Sequence, residues 1–253
     1  MTLERNTYEQ ALSSGAETIA AVVESDPSHQ VPNCPGWDVG DLARHVGLLY
    51  MRVTEQVRRR SPEAVRSSEL PPAPTGRALA QWVRQAADGL LQALAVTDDD
   101  APAGSWRDRS VPAGFWRRRL AHEIVVHRVD VEDALGWSAD LDADLAVDGV
   151  DEALELFLPF SISSEAWPPG GVLWLVRADG PEQWWIVPGS GDVHTRRLPA
   201  EGVPPQWPPG EATRVEAPAT ELFLVCWGRR VPPGTAVTGE PVSLEQWLGV
   251  LGW

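Results

Sequence analysis

Apolar residues recur at spacings of three and four from the start of the chain to about position 140, the pattern of helices that each bury one face. A first helix is predicted from about Tyr8 to Val23, with Leu12, Ile19 and Val23 on or near one side. A second follows Cys34-Pro35-Gly36-Trp37, with Asp38 as a plausible N-cap, Asp41 in the first turn, and Leu42, Val46, Leu49 and Val53 as its buried stripe. A third covers roughly Gly76 to Val96 through Leu79, Val83, Ala86, Leu90 and Leu94. The fourth runs from about Ala113 to Gly136, with Leu120, Ile124, Val131 and Leu135 facing inward and Gly136 as a natural stop. The stretches from Ser61 to Pro74 and from Thr97 to Pro112 carry the Pro, Gly and polar residues of loops. Four helices joined in this way predict a four-helix bundle.

The pattern changes after a fifth helical stretch, Val147 to Leu158. Leu173 to Val176, Trp184 to Val187 and Ala212 to Val215 are short apolar or mixed runs bounded by Gly and Pro, as strands are. A helix from Thr220 to Arg229, a strand at Val237 to Gly239 and a last helix near Leu244 to Leu251 complete the reading. Helices first and strands later give an α+β chain of two domains. The Pro-rich run Trp167 to Gly171 places the expected division between residues 1–165 and 166–253.

Composition narrows the function classes. The net charge of -15 argues against a nucleic acid or an anionic membrane as partner. No apolar run reaches the length of a membrane span, and the polar opening MTLERNTYEQ does not read as a signal peptide. Two cysteines, Cys34 and Cys226, make no disulfide framework, so a reducing cytoplasm is the expected setting. All 21 basic residues are arginine, a bias expected of a very GC-rich genome.

The fourth helix carries the chemistry. Glu123 and His127 are four residues apart, share a face, and adjoin the apolar stripe that points into the bundle. His45 has the same character on the second helix. A glutamate facing an apolar interior is costly unless it is paired or bound to a cation. Two imidazoles and one carboxylate from facing helices suit zinc with an open position, the catalytic rather than the structural kind of site. The alternative is an ordinary one: Glu123 paired with Arg119 or Arg128, and His45 a satisfied core histidine. The motif is HExxxH, with Val126 where a zincin needs its second histidine, so a metalloprotease is not expected. His122 is expected against a neighbouring helix or solvent, Cys34 in a packing role beside Pro35 and Trp37, and Cys226 in the core. Trp37 should plug the bundle end, His29 and His194 should lie at the surface, and Arg117 to Arg119 should form a solvated helix face.

Two segments carry a family resemblance. Val31 to His45, with its Pro-Gly-Trp, Asp-Leu and His, resembles the first signature of the mycothiol-dependent maleylpyruvate isomerase family. Ala121 to Gly136, His-Glu-Ile-Val-Val-His-Arg-Val-Asp followed by Ala-Leu-Gly, resembles its second. Glu221 to Arg230 looks like the family's C-terminal "GR" helix, with Thr238-Gly239 as the strand after it. The resemblance implies a DinB-like bundle followed by a small sterol-carrier-like α+β domain. It also implies a divalent metal held by His45, Glu123 and His127, and mycothiol, the thiol of high-GC actinobacteria, as cosubstrate. The implied activity is S-transfer to, or cis–trans isomerisation of, a small electrophilic substrate, with Arg229 (Arg230 as competitor) near the reaction. A metal-dependent hydrolase and a non-catalytic metal or small-ligand binding protein are the alternatives. The substrate and the oligomeric state are not legible.

Overall fold

The computed structural model describes residues 3–105, 109–161, 172–188, 193–199, 212–229 and 235–238. The chain divides into two compact units, Leu3–Asp140 and the segment from Leu141 onward.

The first unit is built on four long helices: α1 (Arg5–Ser25), α2 (Val39–Arg59), α3 (Ala78–Ala95) and α4 (Ala113–Ala134). Most of the periodic apolar residues read from the sequence form the core, with Leu12, Ile19, Leu42, Val53, Leu79, Leu90, Leu120 and Ile124 fully buried, while Leu49 and Leu135 are half-buried. Two glycines set how closely the helices meet. A Cβ on Gly15 of α1 would lie 2.5 Å from Ile124 of α4, and one on Gly47 of α2 would lie 2.1 Å from the Trp82 ring of α3. Both positions exclude a side chain because the neighbouring helix occupies that space.

The entry to α2 is fixed by local chemistry. Cys34-Pro35-Gly36-Trp37 forms a type II turn, with Pro35 in its second place and Gly36 at φ +84° in its third, closed by the Trp37 N–H donating to the Cys34 carbonyl at 2.9 Å. Asp38 then caps the helix by accepting from the Asp41 N–H at 2.7 Å, while Asp41 accepts from the Asp38 N–H at 3.2 Å. Asn33 ties the turn to α4 by donating to Asp133 at 3.1 Å.

The loop expected between α3 and α4 contains a short antiparallel pair, β1 (Pro102–Gly104) and β2 (Ser110–Pro112). Three-residue strands are too short to show alternation. The basic run at the start of α4 also departs from expectation. Arg117 and Arg119 are buried, because α4 is enclosed around most of its circumference and consecutive residues cannot all reach water. Arg117 satisfies its charge on Glu9, Asp99 and the Leu94 carbonyl.

The second unit begins with α5 (Ala143–Glu152), which continues through a π-helical stretch at Ala153–Phe157 into α6 (Leu158–Ser161). Five strands form one sheet: β3 (Val172–Arg177), β4 (Glu182–Pro188), β5 (Val193–Pro199), β6 (Ala212–Ala217) and β7 (Ala236–Thr238), in the order β5-β4-β3-β6-β7. Among the described residues only β3 and β6 pair in parallel, and the longer crossover between them is what parallel neighbours require. α7 (Ala219–Cys226) packs on β3 and β6, and α5 packs on α7. That packing moves the division of the chain from the expected 165/166 to 140/141, since the apolar face of α5 is covered by the second unit. β5 escaped the sequence reading because it is an edge strand with polar residues at most positions, Val-His-Thr-Arg-Arg-Leu-Pro. One sheet face carries Val172, Trp185 and Leu198, with Trp174 stacked on Trp185 at 4.6 Å between centroids. The Pro-rich run at 167–171 and the last expected helix lie outside the described residues. Among the described residues no helix is long and apolar enough to cross a membrane.

Candidate metal centre

His45, Glu123 and His127 converge. The Nε2 atoms of both histidines lie 3.4 Å from Glu123 Oε1, and the three donor atoms all fall within 4.8 Å of one another. The rings of His45 and His127 meet edge to face with centroids 5.1 Å apart. Two donors bound to one tetrahedral zinc ion at ordinary bond lengths sit about 3.3 Å apart. The two His–Glu spacings therefore match edges of a zinc coordination shell, and the donor set of two neutral nitrogens and one carboxylate fits that ion.

The surroundings sharpen the roles. Arg119, one turn before Glu123 on α4, pairs with Oε2 and leaves Oε1 to the histidines. The Glu123–Arg119 pair of the ordinary reading therefore forms on Oε2, and it does not exclude a cation at Oε1. Arg128 instead turns to Glu132 and to the Asp140 carbonyl. Burial would raise the Glu123 carboxyl, but the Arg119 charge and the histidine N–H groups outweigh it and hold it well below the usual range. Burial would likewise depress His127, yet Asp130, Cys34 and Glu123 hold its imidazole well above the usual range. Both shifts keep the carboxylate charged and the imidazole basic. Side-chain exposure falls from 38% at His45 through 22% at Glu123 to 9% at His127, so the group opens to solvent on the α2 side.

Several neighbours were not marked by helix phase. Cys34 is not merely packed beside Trp37: its thiol donates to Asp130 Oδ2 at 3.6 Å, and Cys34, His127 and Asp130 form a second group of potential donors. The signal for Asp130 was its position three residues after His127, one turn along the same face. Trp37 lies against the His45 ring at 5.2 Å between centroids. Tyr50 of α2 is fully buried, and burial together with the Glu123 charge pushes its hydroxyl well above its usual range.

The remaining candidates are elsewhere. His122 is buried edge-on against Tyr8 of α1 at 6.2 Å, on the face away from solvent. His194 is exposed and His29 half-buried. Cys226 is in the core of the second unit, where burial and the Asp151 charge push its thiol up to about 12, too high for a nucleophile near neutral pH. Arg229 follows α7, half-buried, with Nη1 donating to the Trp227 carbonyl at 2.8 Å. Arg230 lies outside the described residues.

Comparison with known proteins gives a consistent result along the chain. The family model described as the mycothiol maleylpyruvate isomerase N-terminal domain matches residues 8–132. The model of the C-terminal domain of the same family matches residues 144–246. Among solved structures, a crystal structure of the mycothiol-dependent maleylpyruvate isomerase aligns with a TM-score of 0.61 at 18% identity, over 95% of this chain and 96% of that one. A histidine-to-alanine mutant of that enzyme aligns with a TM-score of 0.60 at 17% identity, with 95% and 96% covered. At such identities the likeness is one of fold. No curated protein sequence matches.

Proposed function

The chain belongs to the mycothiol maleylpyruvate isomerase family, and from that premise we propose that it is a zinc enzyme acting with a low-molecular-weight thiol, mycothiol, on a small electrophilic substrate. The reaction class is S-transfer or cis–trans isomerisation. The observation that carries the reading is the pair of 3.4 Å approaches of His45 and His127 to one oxygen of Glu123, on the solvent-facing side of a buried bundle.

His45, Glu123 and His127 would hold the ion, which leaves a position open for an exogenous ligand. When bound, zinc supplies a lowered pKa for a coordinated thiol, so that the sulfur is nucleophilic near neutral pH. The protein's own groups set the stage for that chemistry. Arg119 fixes the Glu123 carboxylate by its second oxygen. Trp37 walls the His45 ring, and the apolar residues of α2 and α4 keep water from the inner side. Arg229 is the proposed anchor for a substrate carboxylate, a task that suits a planar guanidinium.

The test combines metal analysis with thermal shift. Purified protein should hold one zinc per chain, and mycothiol at millimolar concentration should raise the melting temperature of the zinc form, because a ligand of the folded state stabilises it. A sulfur-free analogue should not. Absence of a mycothiol shift in zinc-loaded protein points to water in the open position and a hydrolase, and the thiol reading is then withdrawn. A panel of electrophiles screened for thioether products separates an enzyme from a binding protein. Arg229→Lys should raise KM for carboxylate substrates more than it lowers kcat, since lysine keeps the charge and loses the bidentate fork.

A further inference from the structure

The two nitrogens of His127 face different surroundings. Nε2 lies 3.4 Å from Glu123 Oε1. Nδ1, on the opposite edge of the ring, lies 3.0 Å from Asp130 Oδ2. Asp130 is completely buried, and a carboxylate there requires hydrogen-bond donors. It is placed one turn after His127 on the same helix, so the pair forms without any movement of backbone. The same Oδ2 also accepts from the Cys34 thiol at 3.6 Å, and Cys34 is held in place by the turn that leads into α2.

We propose that Asp130, with Cys34 as its second donor, is the positioning residue of the metal centre: it binds the Nδ1–H of His127, fixes that tautomer and ring orientation, and so directs the Nε2 lone pair to the ion held with His45 and Glu123. The proposal rests on the reading that those three residues hold a metal. A neutral imidazole has one N–H and one lone pair, so whichever nitrogen is bound by the carboxylate decides which one can ligate. Carboxylate partners of this kind orient metal-ligating histidines and raise their basicity, and their removal weakens metal binding roughly 10–100-fold. Cys34 contributes by orienting Asp130 rather than by ligating. Its contact is on the Nδ1 edge of the ring, away from Glu123 Oε1. It also joins the two signature segments physically, since the turn before α2 reaches the helix that bears Glu123 and His127.

Chelator competition on the full chain tests this, with wild type, Asp130→Asn, Cys34→Ser and His45→Ala compared. Asp130→Asn should bind zinc roughly 10–100-fold more weakly than wild type. Cys34→Ser, which keeps a donor to Asp130, should bind zinc more tightly than Asp130→Asn. An Asp130→Asn affinity equal to wild type, while His45→Ala loses zinc, overturns the positioning role and leaves the metal site standing. A wild type that binds no zinc removes both. Should Asp130→Asn not fold, long-range proton–nitrogen spectra of zinc-loaded wild type decide: His127 should show protonated Nδ1 and metal-bound Nε2. Metal on Nδ1, which would place the ion among Cys34, His127 and Asp130, overturns the proposal.

Discussion

Each unit of the chain buries a carboxylate beside an arginine, and the two have opposite company. In the second unit, Asp151 accepts from the Trp184 indole N–H at 2.7 Å and from Arg197 at 2.5 Å, and Arg197 continues to Glu182 at 3.2 Å. Its neighbours are all donors, so the demand of the buried charge is met within the fold. In the first unit, Arg119 pairs with Oε2 of Glu123, and Oε1 faces two imidazole nitrogens. When His127 is neutral and its proton is on Nδ1 toward Asp130, its Nε2 presents a lone pair to Glu123. A lone pair against a carboxylate oxygen is repulsive unless a proton or a metal ion sits between them. Burial of a carboxylate therefore does not mark a site. What marks it is whether the surrounding groups already neutralise it.

The contrast can be broken most directly by making the same change at both places. Glu123→Gln should reduce zinc affinity by at least about 100-fold, more than loss of an outer partner would, as read by chelator competition. Asp151→Asn should leave zinc content unchanged and lower stability by about 1–3 kcal/mol in urea melts, because Arg197 and Trp184 lose a charged acceptor. Loss of zinc in the second variant, or its retention in the first, would erase the distinction drawn above. A smaller effect is expected of Trp184→Phe, which removes one donor from Asp151 and should cost about 1 kcal/mol with no effect on metal.

The smallest effect is that of pH on metal-free protein. Glu123 is held below its usual value, so its contribution is complete above about pH 4.5 and fades as pH falls through the lowered value. His127 is held above its usual value, so its contribution is complete below about pH 6.5 and fades as pH rises through the raised one. Melts in chelator should therefore decline gently as pH rises from about 6.5. Zinc affinity should increase over the same range, because the ion displaces the imidazole proton. Parallel trends with and without zinc would contradict a shared site. Asp151 is bound instead by Trp184 and Arg197, which do not titrate in this range, and Asp151→Asn should not alter either trend.

The legible parts of the molecule were those governed by local pattern. The four long helices, the Asp38 cap and the shared face of Glu123 and His127 follow from periods of three and four and from short-range hydrogen bonds. Three of the strands, β3, β4 and β6, followed from apolar or mixed runs between Gly and Pro. β5 did not, because an edge strand buries too little to be patterned by burial. Arg117 and Arg119 were misplaced on a solvated face because periodicity around α4 is weak when the helix is enclosed on most sides.

By itself, then, the sequence determined which residues could face inward and which had ligand chemistry, because both depend on residue type and spacing along one helix. It could not determine that Cys34 meets Asp130 across 96 positions, that two histidines from different helices meet at Glu123 Oε1, or that α5 packs on α7. Those are decided by the relative placement of separate elements. Distances between side chains on different helices depend on how their backbones pack, at contacts such as Gly15 on Ile124 and Gly47 on Trp82, and no local pattern encodes them.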